Sequence, residues 1–222
     1  MKLLYLNPNS TEAMTRSVVA VARAAVPGAV VLGWTNRSGP PAIQGPEDGA
    51  AAVAGLMAML PQARAEAVDA IVIACFDDTG LDELRAAAHC PVLGIGQAAY
   101  AMAGLLGARF SVVTTLAVSV PVIAGNIARL GVPGCASVRP SGLPVLEVEE
   151  GSEETRATLA AHITAAAQED GAGVVVLGCA GMAMLREDLA ARSGVRLVDG
   201  VAASARLAAA VALDLAGITR AR

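Results

Sequence analysis

Aromatic side chains are nearly missing from this chain, which has one Trp, two Tyr and two Phe in 222 residues. Proteins that stack single-stranded bases rely on such rings, and a net charge of −4 removes the basic footprint that nucleic-acid binding requires. Histidine is as scarce: His89 and His162 stand alone, without the Cys/His spacing of a zinc site, and read as surface or packing residues. No metal is therefore expected. A phosphate loop ending in Lys-Ser or Lys-Thr is absent, and Gly94-Ile95-Gly96 lacks the third glycine and the acidic partner of a dinucleotide fingerprint. No Ser sits in a nucleophile elbow, so no organic cofactor is expected and no serine triad. Long apolar runs are missing as well. Mean hydropathy is +0.58, yet the runs at 68–76 and 174–184 are too short to cross a bilayer and are broken by Asp, Gly and Cys. With no apolar leader before the first strand pattern, the sequence points to the cytoplasm and away from membranes. A small molecule is the expected partner.

What is abundant is Ala and Val. Apolar residues make up 55% of the chain, enough for a packed core without metal or disulfide support. Strand patterns fall at 2–7, 30–34, 70–75, 92–95, 110–114, 137–139, 174–179 and 196–198. Helical patterns fall at 11–25, 48–59, 81–88, 98–106, 119–130, 152–169, 182–192 and 201–215. Their alternation implies βαβ units on parallel sheets, an α/β protein. The order repeats: Ile71-Val72-Ile73-Ala74-Cys75 aligns without a gap on Val175-Val176-Leu177-Gly178-Cys179, and the two Cys lie 104 positions apart. Asn7 and Thr114, closing the first strand of each half, lie 107 apart. Two pseudo-symmetric lobes follow, one of residues 1–106 with a returning helix at 201–222, the other of residues 107–200, with a cleft between them.

Ligands of open parallel sheets bind at the carboxyl ends of the strands. There the sequence places Asn7, Asn9 and Ser10; Cys75, Phe76 and Asp77; Thr114 and Thr115; and Gly178, Cys179, Ala180 and Gly181. Asn7 and Asn9 are expected to turn their amides into the cleft, with Ser10 or Thr11 capping the helix that follows. Thr114 and Thr115 offer donors for a carbonyl or imide oxygen, and the glycines let backbone N–H groups come close to a ligand. Four Cys in a chain without an export signal read as free thiols. Cys90 and Cys135 have no counterpart in the other half and read as structural. Cys75 and Cys179 share equivalent strand ends, each expected at a helix N-terminus that lowers its pKa. As a pair they suit proton transfer on opposite faces of one carbon.

These segments resemble the aspartate/glutamate/hydantoin racemase superfamily, and within it the hydantoin and allantoin racemase branch. The resembling stretches are NPNST (7–11), GPPAIQGPED (39–48), DAIVIACFDDTGL (69–81), PVLGIGQAA (91–99), FSVVTTLAVSVPVI (110–123) and VVVLGCAGM (174–182), in order along nearly the whole chain. The resemblance implies two flavodoxin-like lobes with parallel four-stranded sheets, a substrate between them, no cofactor, a homo-oligomer, and one catalytic Cys per lobe, mapping onto Cys75 and Cys179. The chain departs from the branch at Asp77-Asp78-Thr79, where Gly-Asp-Pro is common, and at Gln97, where Glu is common. These departures bear on the exact substrate. The strand-end motifs contain no cation, which favours a neutral hydantoin ring over a free aspartate or glutamate. Three alternatives stay open: an amino-acid racemase, a decarboxylase or cis–trans isomerase of the same superfamily, and a two-lobed protein that binds without reacting.

Overall fold

The computed structural model describes residues 1–107 and 109–220. The lobe ranges read from the sequence include residues 108, 221 and 222, which lie outside the described residues. The chain runs β1 (Lys2–Asn7), α1 (Glu12–Ala25), β2 (Val30–Thr35), α2 (Pro46–Ala65), β3 (Ala70–Ile73), α3 (Leu81–Ala87), β4 (Val92–Gly94) and α4 (Ile95–Leu105). It continues through β5 (Phe110–Thr114), α5 (Val120–Leu130), β6 (Cys135–Pro140), α6 (Val145–Glu150), α7 (Glu153–Glu169), β7 (Val174–Gly178), α8 (Arg186–Ser193), β8 (Leu197–Asp199) and α9 (Gly200–Arg220). Two four-stranded sheets result, ordered β2-β1-β3-β4 and β6-β5-β7-β8. Every pairing is parallel, and the two orders are the same permutation, as the internal repeat requires.

The central strands form because their residues are apolar on both faces. Leu3, Leu4, Tyr5 and Leu6 of β1, all four residues of β3 and all of β7 are buried, the pattern of strands covered by helices on each side. One buried cluster crosses between the sheets, from Leu3, Tyr5 and Val72 through Ala99 and Tyr100 of α4 and Ala205 and Ala208 of α9 to Phe110, Val112 and Val176. Two further clusters fill the outer faces, under α2 and α3 on one side and under α6, α7 and α8 on the other. Alanine-rich helices let backbone approach sheet closely, so Tyr5 Oη reaches Ser204 Oγ of α9 at 2.9 Å.

Several boundaries differ from the sequence expectation for physical reasons. The helix expected to stop at 59 continues through Pro61 to Ala65, because burying Leu56, Leu60 and Ala63 outweighs the backbone bond a proline removes. The helix expected at 182–192 is a 3-10 turn, Ala180–Leu185, followed by α8. The fourth helix begins at Ile95 rather than 98. α6 was not expected at all; it is six residues between Pro144 and a left-handed Gly151 (φ 59°). At α1 the N-cap is Thr11 without a side-chain cap bond, because its hydroxyl donates instead to the Pro41 carbonyl at 2.7 Å. No helix among the described residues is long and apolar enough to cross a membrane.

Candidate active site at the facing strand ends

The carboxyl ends of β1, β3, β5 and β7 surround one cavity of about 30 Å³, set in roughly 360 Å³ of space free of atoms. Cys75 and Cys179 both line it, with Asn9, Phe76, Asp77, Thr114, Thr115, Gly178 and Ala180. A space this small holds one or two waters as its walls stand. Hydrogen bonds across the rim hold those walls together: the Val145 N–H donates to Gln44 Oε1 at 3.1 Å, and Ser17 Oγ donates to Glu149 Oε1 at 2.6 Å.

The two thiols are placed similarly but not identically. Cys179 directly follows β7 and opens the 3-10 turn, whereas β3 ends at Ile73 and Cys75 lies two residues further on, well before α3. Cys75 is therefore neither the last strand residue nor at a helix N-terminus, as the sequence had suggested. The expected lowering of the thiol pKa values is reversed too. Burial pushes Cys179 up to about 12 and raises Cys75 further, with the Asp77 charge adding to the effect. Desolvation disfavours the charged form more than backbone dipoles favour it. The N–H groups of Gly181 and Met182 work against it at Cys179, and the Thr79 hydroxyl and Asp77 N–H do so at Cys75. Thr79 Oγ1 is buried and makes no hydrogen bond of normal geometry among the described residues. Each thiol also feels its neighbours' charge, Cys75 that of Cys179, and Cys179 those of Glu149 and Asp77.

The Cys75 loop is pinned from below. Asp78, in the left-handed region at φ 53°, accepts the Gly96 and Gln97 N–H groups at 2.9 and 2.8 Å, capping α4 from outside the helix. Burial pushes its carboxyl up to about 7 against those two bonds. Gly94 and Gly96 are required here, since a methyl at either would overlap the Asp78 carboxylate or the Phe76 carbonyl. Gln97 turns its side chain outward and accepts from Arg85 Nη2 at 2.5 Å, so this departure from the branch pattern lies outside the cavity wall. Phe76 packs edge-on against Tyr100, ring centroids 5.4 Å apart, and forms a rigid apolar wall.

Not every expected contact reaches the cavity. The Asn7 amide is consumed inside its own loop, donating to Asn9 Oδ1, the Thr11 carbonyl and Thr15 Oγ1 at 2.9, 3.2 and 3.0 Å. Asn7, Ser10 and Gly181 are absent from the cavity wall. Ser10 is tied through its N–H to the Pro40 carbonyl, and Gly181 stands behind Cys179, where a Cβ would come within 3.0 Å of Glu149 Oε2. Thr114 lines the cavity, but its hydroxyl donates to the Gly178 carbonyl at 2.9 Å. Met14, Ile43, Ala74, Ser119 and Val145 complete the wall and were not expected. Met14 falls inside the helical pattern at 11–25, which by itself does not show which face meets the cavity, and Ile43 lies in a Pro-rich loop without periodicity. No group of three or more His, Cys, Asp or Glu among the described residues has metal-binding geometry. All four Cys are free thiols.

Known proteins resemble this chain along nearly its whole length. The family model described as Asp/Glu/Hydantoin racemase matches residues 3–208. A hydantoin racemase of Rhizobium meliloti is 41% identical over 213 residues, 95% of this chain and 88% of that one. A hydantoin racemase of Paenarthrobacter aurescens is 36% identical over 211 residues, 94% of this chain and 89% of that one. The solved allantoin racemase from Klebsiella pneumoniae is 38% identical, with a TM-score of 0.89 over 95% of this chain and 86% of that one. The chain belongs to the Asp/Glu/Hydantoin racemase family, and is an isomerase of the racemase type.

Proposed function

We propose that this enzyme racemises 5-substituted hydantoins, allantoin among them, by two-base proton transfer between Cys75 and Cys179 without a cofactor. The observation that carries the reading is that two thiols from equivalent positions of the two halves line one cavity. One begins as thiolate and removes the C5 proton; the other, as thiol, donates a proton to the opposite face. The electron pair released at C5 rests on the adjacent ring carbonyl until that second transfer, and the roles exchange with the enantiomer. Burial makes each thiolate scarce yet strongly basic, which suits a weak carbon acid. The Thr115 hydroxyl and backbone N–H groups are the donors offered to the ring oxygens. No Arg or Lys lines the cavity, so the carboxylate of a free amino acid has no partner here. The relatives named hydantoin racemase point the same way.

The test is loss of optical rotation by L- and D-5-substituted hydantoins and by allantoin, without added cofactor, for wild type, Cys75→Ser and Cys179→Ser. Racemisation by wild type with a fall of at least about 100-fold in each variant supports the two-base reading. Full activity in either variant removes it, and turnover of aspartate or glutamate alone would assign a different substrate.

A further inference from the structure

Asp77 is the one carboxylate in the cavity wall, and the two-thiol chemistry gives it no task. Its Oδ2 accepts from Ser119 Oγ at 3.2 Å, and its carbonyl accepts from Asn126 Nδ2 at 3.0 Å, so the opposite half of the molecule fixes its position. Oδ1 has no hydrogen-bond partner among the described residues. No positive charge stands in the wall: no Arg or Lys lines the cavity, and Glu149 acts on Cys179 from behind. One thiol must also become thiolate. A half-buried carboxylate with a free oxygen and no counter-cation is an incomplete hydrogen-bonding site.

Resting on the hydantoin reading above, we infer that Asp77 determines substrate specificity, selecting 5-substituents that bring an N–H donor or a positive charge and rejecting those that bring a carboxylate. A ureido or ammonium group would satisfy Oδ1. It would also offset the field that Asp77 exerts on both thiols, so that the preferred substrate helps to generate the thiolate. A carboxylate would meet Asp77 and the thiolate together, and like charges at close range in a dry site oppose binding strongly. Specificity of this kind is a difference between substrates and includes a repulsive element.

The experiment compares kcat/KM for hydantoins carrying 5-ureido, 5-(3-aminopropyl), 5-isobutyl and 5-carboxymethyl groups in wild type, Asp77→Asn and Asp77→Gly. Wild type should favour the ureido and aminopropyl compounds over the carboxymethyl one by about 100-fold or more. Each substitution should shrink that ratio at least tenfold, chiefly through KM. Ratios unchanged within twofold overturn the inference. Binding is measured in parallel by calorimetry with 5-methyl hydantoins bearing the same four groups, which have no C5 proton and cannot react. A variant that has lost turnover is thus still read, and loss of the aminopropyl preference in binding supports the inference whereas its retention overturns it. If wild type racemises none of the four, the hydantoin reading fails by itself, and the binding series still decides whether Asp77 discriminates by charge.

Discussion

The Asp78 carboxylate accepts the Gly96 and Gln97 N–H groups across 18 and 19 residues of sequence, so the start of α4 fixes the loop that carries Cys75. Removing that acceptor leaves two N–H groups at a helix start without a partner, the Gly96 one buried and the Gln97 one partly so. Asp78→Ala is expected to cost about 3 kcal/mol in urea unfolding, and Asp78→Asn less, since an amide oxygen still accepts one bond. Equal stability of wild type and Asp78→Ala would mean that α4 holds the loop without this bond.

Asp77 links stability to pH in a direction that can be worked out. Burial pushes its carboxyl up to about 6 from 3.8, so between those values the folded chain holds a proton that the unfolded chain has released. Its contribution is complete below about pH 4 and is lost as pH rises through 6. Asn does not titrate, so the stability of Asp77→Asn relative to wild type should climb across that window and level off above it, by roughly 3 kcal/mol at most. Denaturation midpoints from pH 4 to 8 check this, and a flat difference refutes it.

The Thr79 hydroxyl lies near Cys75 without a hydrogen bond of normal geometry, yet it lowers that thiol's pKa against burial. Thr79→Val should make the Cys75 thiolate scarcer at any given pH. We expect a fall of roughly fivefold in kcat/KM at pH 8 for the enantiomer whose proton Cys75 removes, corresponding to one hydrogen bond of about 1 kcal/mol. Thr79→Ser should restore the rate, and a rate that stays as low in Thr79→Ser as in Thr79→Val would mean that the hydroxyl plays no part.

Gly178 brings β7 against β5 just before Cys179. A Cβ there would lie 2.7 Å from the Val113 carbonyl oxygen and 2.9 Å from the Thr114 Cα, so Gly178→Ala must push the strands apart. A cost of about 1–3 kcal/mol is expected, together with loss of racemisation as Cys179 moves. Wild-type urea midpoint and activity in this variant would contradict the contact.

Much of this molecule is legible in its sequence, and particular residues show where legibility ends. The match of 71–75 to 175–179 gave both the repeat and the thiol pair, because central parallel strands are continuous apolar runs whose ends stand out. α6 escaped because six residues between a Pro and a Gly carry too little periodicity, and with it went Val145 of the cavity wall. Ser119 is paired to Asp77 across 42 residues and two halves of the molecule, a relationship visible only once the chain is folded. Asn7 and Asn9 look interchangeable in Asn-Pro-Asn, and both amides bond within their own segment, yet of the two it is Asn9 that lines the cavity. The thiol pKa values went the other way because helix starts are local and can be read, whereas desolvation is a property of everything packed around a group.

The apolar cluster that joins Leu3 and Val72 to Phe110 and Val176 through α4 and α9 also governs how the chain comes apart. Melting either sheet alone would strip the other of its covering, so partial unfolding costs nearly as much as complete unfolding, and calorimetry should record a single cooperative transition. A chain cut between α4 and β5 would leave each fragment with a bare apolar face, driving it to pair with the other fragment or with a copy of itself.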